Sequence, residues 1–200
     1  MKVDSFTYFY PEAPRLMSVK SLVFGKLSDD PQWVAEKKYN GSRLELHRMP
    51  MTWFFYNRHK ELMSFKPNQE LMFALEAIPW KGYCVLDGEL RNNKTIGIKN
   101  KIVFYDVLIW NGELLIGKPF LSRRKILEDL FPIHRKGEIL AIPEWFHTDF
   151  GKVFYEVTTD PEIEGLVMKD INGMLNLGRN RANDSSWMWK VRKESGRYRF

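Results

Sequence analysis

Cysteine is almost absent from this 200-residue chain. Cys84 stands alone, which excludes an internal disulfide and suits a reducing cytoplasm, the expected compartment. Its neighbours Tyr83 and Val85-Leu86 predict a buried strand thiol rather than a reactive one. Long apolar runs are missing too. None approaches the roughly 20 residues that cross a bilayer, and Met1-Lys2-Val3-Asp4-Ser5-Phe6 has no signal-peptide pattern, so no membrane association is expected. The histidines His47, His59, His134 and His147 are too scattered for a structural zinc site. Repeats and Gly/Ser linkers are lacking, which predicts one domain over residues 1–200 with no internal boundary.

With 44% hydrophobic and 28% charged residues, the chain can bury a core and is no disordered tail. The net charge of +6 hints at a polyanionic partner. Arg179, Arg181, Lys190, Arg192, Lys193, Arg197 and Arg199 crowd the final stretch, where acids are few.

Strand-like segments are predicted at Trp33–Tyr39, Ser42–His47 and Trp53–Tyr56. Arg15 to Lys26 fits either helix or strand. Leu71, Met72, Leu75 and Ile78 recur at helical spacing, predicting a helix from Asn68 to Trp80. Tyr83–Leu86 reads as a strand, Asp87-Gly88 as a turn and Glu89–Arg91 as the return strand. Lys101–Ile109 is turned by Asn111-Gly112 into Glu113–Ile116. Ser122 suits the N-cap of a helix to Leu130, with Leu121, Ile126, Leu127 and Leu130 inward. A helix at Gly151 to Thr158 and strands at Gly165–Lys169 and Trp187–Lys193 complete the pattern. Strands outnumber helices and tight turns join them, so the fold class is α+β, rich in antiparallel sheet.

Chemistry concentrates around Glu36-Lys37-Lys38-Tyr39-Asn40-Gly41-Ser42-Arg43. Asn40-Gly41 between extended runs predicts a hairpin turn, because both residues tolerate positive φ. Period-2 alternation puts Glu36 and Lys38 on one face and Lys37 on the other. A lysine beside a tight turn, with an acid on its face and Arg43 across, has the form of a positioned nucleophile. On this stretch alone an ordinary charged hairpin is the favoured reading, since Lys-x-x-Gly recurs at Lys94 to Gly97 and Lys193 to Gly196. Arg58, Glu89, Tyr105, Glu164 and the alternating Lys190 and Arg192 follow in order, and each alone has an innocent structural reading.

Taken in sequence, these segments resemble the covalent nucleotidyltransferases, above all the adenylation domain of phage-type ATP-dependent DNA ligases. Lys38-Tyr39-Asn40-Gly41-Ser42-Arg43 is similar to the Lys-x-Asp-Gly-x-Arg nucleophile motif, and Leu86 to Leu90 to the Asp-Gly-Glu motif. Arg58 fits the arginine of the intervening strand. Phe104-Tyr105-Asp106-Val107, with Arg123-Arg124 beyond, looks like the aromatic-Asp strand and its sequel. Glu164-Gly165-Leu166-Val167-Met168-Lys169 and Trp189-Lys190-Val191-Arg192 match the two closing motifs. Asn40 departs from the usual aspartate, and Arg192 stands where a second lysine is common.

The resemblance implies an antiparallel, ATP-grasp-like nucleotidyltransferase domain. Its reaction passes AMP from ATP through a lysine to a DNA 5′-phosphate, after which a 3′-hydroxyl displaces the AMP. Lys38 would be the nucleophile, assisted by Lys190, Arg192 and Mg²⁺ (or Mn²⁺) in shedding its proton. Glu164, with Glu89, would hold the metal. Glu36, Arg43, Arg58, Glu89 and Tyr105 would join Lys38 and Lys190 in binding the nucleotide, Tyr105 by stacking on adenine. The implied partner is nicked duplex DNA, met by a monomer through the basic C-terminal stretch and the Leu177 to Asn183 loop. A phage origin would put it in the host cytoplasm. An OB-fold domain normally follows, yet seven residues remain after Lys193, which suggests an isolated domain or a small member served by a separate clamp. An RNA ligase, a capping guanylyltransferase and a silent nucleic-acid-binding relative are the alternatives the motifs leave open.

Overall fold

A computed structural model describes residues 8–9, 12–25, 27, 30–92, 94–135, 137–176 and 185–194. In chain order its elements are β1 (Arg15–Leu16), α1 (Val19–Phe24), β2 (Trp33–Tyr39), β3 (Ser42–Met49), β4 (Thr52–Asn57), α2 (Gln69–Glu76), β5 (Cys84–Arg91) and β6 (Lys101–Trp110). There follow β7 (Glu113–Leu114), α3 (Phe120–Leu130), β8 (Leu140–Ala141), β9 (Trp145–Phe146), α4 (Phe150–Val157), β10 (Ile163–Asp170) and β11 (Met188–Arg192). The strands form two sheets, β1-β11-β10-β2-β9 and β4-β3-β5-β6-β7, with β8 beside β6. Pairing is antiparallel except for the short β1 and β8 additions. The α+β, antiparallel-rich class expected from the sequence is the observed one.

Alternation, interrupted by register shifts between β5 and β6 and in β10, gives each sheet an apolar and a more polar face. In the first sheet Ala35, Leu166, Met168 and Val191 pack under Leu22 of α1 and Phe150 and Phe154 of α4. In the second, Leu44, Leu46, Leu86 and Leu90 pack with Leu71 and Leu75 of α2 and Leu127 of α3. Burial of each such leucine contributes about 1.5–3 kcal/mol. The intervening residues turn to the opposite faces, where the two sheets look at each other across a cleft.

Several sequence expectations need correction. Asn40-Gly41 is not a hairpin turn. β2 pairs with β10 and β9, β3 with β4 and β5, and neither Asn40 nor Gly41 takes positive φ. The dipeptide carries the chain from one sheet to the other. Gly41 is needed for another reason: a Cβ there would lie 2.6 Å from both Glu89 Cγ and the Leu90 carbonyl oxygen. Asp87-Gly88 is no turn either, since β5 runs straight through it and its pairing with β6 merely shifts register between those residues. Ser122 does not cap α3. The helix starts three residues earlier, at Phe120 behind Pro119, without a side-chain cap. Its inward face carries Phe120, Arg123, Arg124 and Leu127, while Leu121 is exposed, because both arginines find buried acids. Arg15 to Lys26 contains both a strand and a helix, and α2 is shorter than expected, with Asn68 accepting from Leu71 N at its start. Cys84 is fully buried, as predicted. Of the expected DNA-binding surfaces, the Leu177 to Asn183 loop and the part of the basic C-terminal stretch beyond Glu194 lie outside the described residues, while Lys190, Arg192 and Lys193 lie within them. No helix among the described residues is long and apolar enough to cross a membrane.

Candidate active site

The cleft between the sheets has a volume of roughly 850 Å³, within the range of small-molecule sites. Register explains its lining. Lys38 on β2 stands opposite Gly165 on β10, which stands opposite Arg192 on β11, while Glu36, Val167 and Lys190 form the next row. Every one of these side chains except the glycine's faces the cleft. From the other sheet Arg43 faces Glu89 and Glu45 faces Asp87, again on the cleft side.

Lys38 Nζ donates a hydrogen bond to Glu164 Oε2 at 2.5 Å. Glu164 reaches it because β10 shifts register between Ile163 and Gly165, which swings the carboxylate out of alternation. Gly165 permits that irregularity: a Cβ there would sit 1.9 Å from the Val191 carbonyl oxygen. Arg192 Nε lies 3.7 Å from the same Glu164 oxygen. Lys190 is pulled down to about 8, by burial first and then by the charges of Arg192 and Lys38. Glu89 is pushed up to about 7 by burial; Lys38 opposes that shift and Glu164 adds to it. Lysine, both carboxylates, Lys190 and Arg192 therefore share one electrostatic neighbourhood although they come from four strands.

The other expected residues are also at the cleft, with more specific partners. Arg43 forms a two-pronged ion pair with Asp87, Nε to Oδ1 at 3.0 Å and Nη2 to Oδ2 at 2.6 Å. Arg58 is exposed on the rim. Tyr105 is half-buried on β6, with Arg43 and Lys169 near its ring, and its phenol is pushed well up by burial and by Asp87. Both carboxylate oxygens of Glu36 are engaged, Oε1 with Arg124 at 2.9 Å and Oε2 with Lys169 at 2.7 Å.

Sequence reasoning gave no role to Lys169, Arg124 or Lys94. Lys169 Nζ also donates to the Tyr105 carbonyl at 2.9 Å, joining β10 to β6 across the cleft floor. Two arginines at helical spacing with Phe120 and Leu127 were the available signal for a buried ion pair in α3. Lys94, at the rim beside Glu89, donates to the Gly41 carbonyl. Nothing local in the sequence marks it.

Among the described residues no group of three or more His, Cys, Asp or Glu gathers around one point. Magnesium nonetheless needs only one or two protein carboxylates when substrate phosphates supply further oxygens. Glu89 and Glu164, which both line the cleft beside Lys38, are oxygen donors of the kind that cation takes.

Lys38 bonded to Glu164, with Glu89, Lys190 and Arg192 around it, thus lies between two antiparallel-rich sheets. A family model described as ATP dependent DNA ligase domain matches residues 91–192, just over half of the chain, and the chain belongs to that family. It is similar to the DNA ligase of Fowlpox virus, 26% identical over 183 residues that cover 80% of this chain and 31% of the viral protein. It also resembles DNA ligase 1 of Methanosarcina barkeri, 25% identical over 196 residues, 80% of this chain and 34% of that protein. The chain thus spans about a third of the length of these curated relatives. Its fold is that of mycobacterial DNA ligase D complexed with ATP and MES (TM-score 0.66, 19% identity, 94% of this chain and 62% of that one). It likewise matches the ATP-dependent DNA ligase of bacteriophage T7 in complex with ATP (TM-score 0.61, 16% identity, 91% and 68%).

Proposed function

We propose that the chain transfers AMP through Lys38, taking it from ATP and passing it to the 5′-phosphate at a nick in duplex DNA, which a 3′-hydroxyl then seals. Lys38 Nζ would bond the α-phosphorus as the oxygen bridging to the β-phosphate departs with pyrophosphate. The observation that carries this reading is the 2.5 Å contact of Lys38 with Glu164 inside a cleft that also holds Glu89, Lys190 and Arg192.

Each residue has a physical task. Glu164 fixes the direction of the lysine side chain by accepting its hydrogen bond. Lys190 and Arg192, on the same sheet face, attract the phosphates and stabilise charge that grows on their oxygens during transfer. Tyr105 offers a ring face to adenine, and Glu36 lies at that end of the cleft, held by Lys169 and Arg124. Arg58 at the rim is available to ribose or DNA phosphate. A divalent cation bound by Glu89 and Glu164 would supply further neutralisation of the phosphate oxygens. Contacts to DNA would be mainly to phosphates, because nicks occur in any sequence. Monomeric action, with any clamp coming from outside these residues, completes the proposal.

Intact mass spectrometry after incubation with ATP and Mg²⁺ tests it. One AMP should be added to the protein and none to Lys38→Ala. An unmodified wild-type mass, or labelling that survives the substitution, refutes the role of Lys38.

A further inference from the structure

Three strands bring the three principal groups to the cleft: β2 carries Lys38, β5 carries Glu89 and β10 carries Glu164. One buried side chain touches all three segments away from the reacting groups. Arg91 lies two residues beyond Glu89 on β5 and is 2% exposed. Its guanidinium carbon sits 5.1 Å from the centre of the Tyr39 ring, and Tyr39 is the residue after Lys38. Its Nη2 donates to Glu162 Oε2, two residues before Glu164. Its Nη1 donates to His134 Nε2 at 2.8 Å, and that imidazole is held neutral, pulled down to about 4 chiefly by burial and further by Arg91. The His134 ring in turn meets Tyr39 at 4.7 Å between centroids. The backbone joins the same knot, Asn40 N donating to the Glu162 carbonyl at 3.0 Å and Ile163 pairing with Tyr39.

We propose that Arg91 is a positioning residue: its guanidinium locks the strands bearing Lys38, Glu89 and Glu164 into one register, and so sets the distance between nucleophile and carboxylates. The physical case rests on the fork. A planar guanidinium offers donors in fixed directions, so it can hold an acid and an imidazole while its face lies on an aromatic ring. Tyr39 belongs to the sheet of Lys38 and Glu162 immediately precedes its strand β10, whereas Arg91 belongs to the opposite sheet, so this contact spans the two walls of the cleft at the end where the chain crosses between them. A lysine, as a point charge on a flexible stem, could keep the ion pair with Glu162 but not the three directions together. Reactive groups displaced by about 1 Å lose on the order of a hundredfold in rate.

The proposal rests on AMP transfer through Lys38 and is tested with the full chain. Single-turnover formation of the AMP adduct is followed by intact mass at saturating ATP, for wild type, Arg91→Lys, Arg91→Met and Glu162→Gln. ATP affinity is measured separately in the Lys38→Ala background, and the folded fraction by circular dichroism. Arg91→Lys and Arg91→Met should slow transfer about 10- to 100-fold per folded molecule. ATP affinity should change less than about threefold. Glu162→Gln should slow transfer less, and combined with Arg91→Met should add nothing beyond the single change. Should Arg91→Met not fold, Arg91→Lys and Glu162→Gln carry the comparison. An unchanged rate per folded molecule, or a loss confined to ATP affinity, overturns the positioning role while leaving AMP transfer intact. A wild-type protein that forms no adduct overturns both.

Discussion

Glu45→Gln should make the protein more stable at neutral pH. Glu45 is buried at the cleft floor, opposite Asp87, with Oε2 3.1 Å from His47 Nε2 and Oε1 lacking any hydrogen-bond partner. Burial, reinforced by Asp87 and only partly opposed by Arg43, pushes its carboxyl up from an ordinary 4.5 to about 9. His47 is pulled down by burial to about 4, so the two meet as neutral groups at pH 7. Either imidazole tautomer lets a glutamine keep the bond, since an amide both donates and accepts. Because the folded-state value is raised, the stabilising effect of the proton is fully present below about pH 4.5 and is lost as pH rises towards 9. At pH 7 the folded wild type therefore holds a proton that the unfolded chain has released, at a cost of about 3 kcal/mol. Glutamine removes that cost. The gain should be near zero at pH 4.5, about 3 kcal/mol at pH 7, and still growing at pH 8. For a chain of this size it corresponds to roughly 6–12 °C in melting temperature. His47 protonation in the unfolded state destabilises both proteins below pH 6.5 and cancels in the difference. Urea denaturation of both proteins from pH 5 to 8 measures it. A gain independent of pH, or a glutamine variant less stable at pH 7, refutes the assignment of a protonated Glu45.

Gly165→Ala should abolish adduct formation and lower stability by several kcal/mol, since its methyl would lie 1.9 Å from a backbone oxygen that cannot move without parting β10 from β11; a folded, active variant excludes that account. Lys190, ionising at about 8, should lose its charge as pH rises through that value, weakening ATP binding roughly tenfold between pH 7 and 9. Calorimetry in a Lys38→Arg background, which keeps the neighbouring charge, should show this fall, and adding Lys190→Ala should reduce it to the part that follows from Glu89 ionising near 7. Binding to nicked duplex should drop steeply with salt, with a log–log slope of about −3 or steeper if Arg58, Lys94, Lys190 and Arg192 meet phosphates. A gel-shift series with a flat response contradicts phosphate-dominated binding.

Much of the site was legible because its chemistry is written in local motifs. Lys38 and Glu36 share a face by simple alternation, and Lys190 and Arg192 do the same on β11; both pairs face the cleft as the period requires. The apolar pattern that buries Leu71 and Leu75 was equally plain. What escaped were partners distant in sequence. Arg124 and Lys169 stand in motifs but show no partner until β2 brings Glu36 between them, and Arg91 shows none until Tyr39, His134 and Glu162 close around it. Asn40-Gly41 misled because the turn preference is local, whereas strand pairing follows which apolar faces can be covered. Here β2 finds its cover under α1 and α4, and β3 under α2 and α3.

The sequence by itself determined the candidate reactive groups, their order and the alternation that sends them to one side of each strand, because those depend on residue type and on spacing within a few residues. Only the tertiary structure decided that two sheets would face each other, that Glu164 would leave its row to reach Lys38, and that Arg91 would meet Tyr39, His134 and Glu162. Those outcomes depend on register shifts and close backbone approaches, such as those at Gly165 and Gly41, which arise when distant segments pack and have no signature within any one of them.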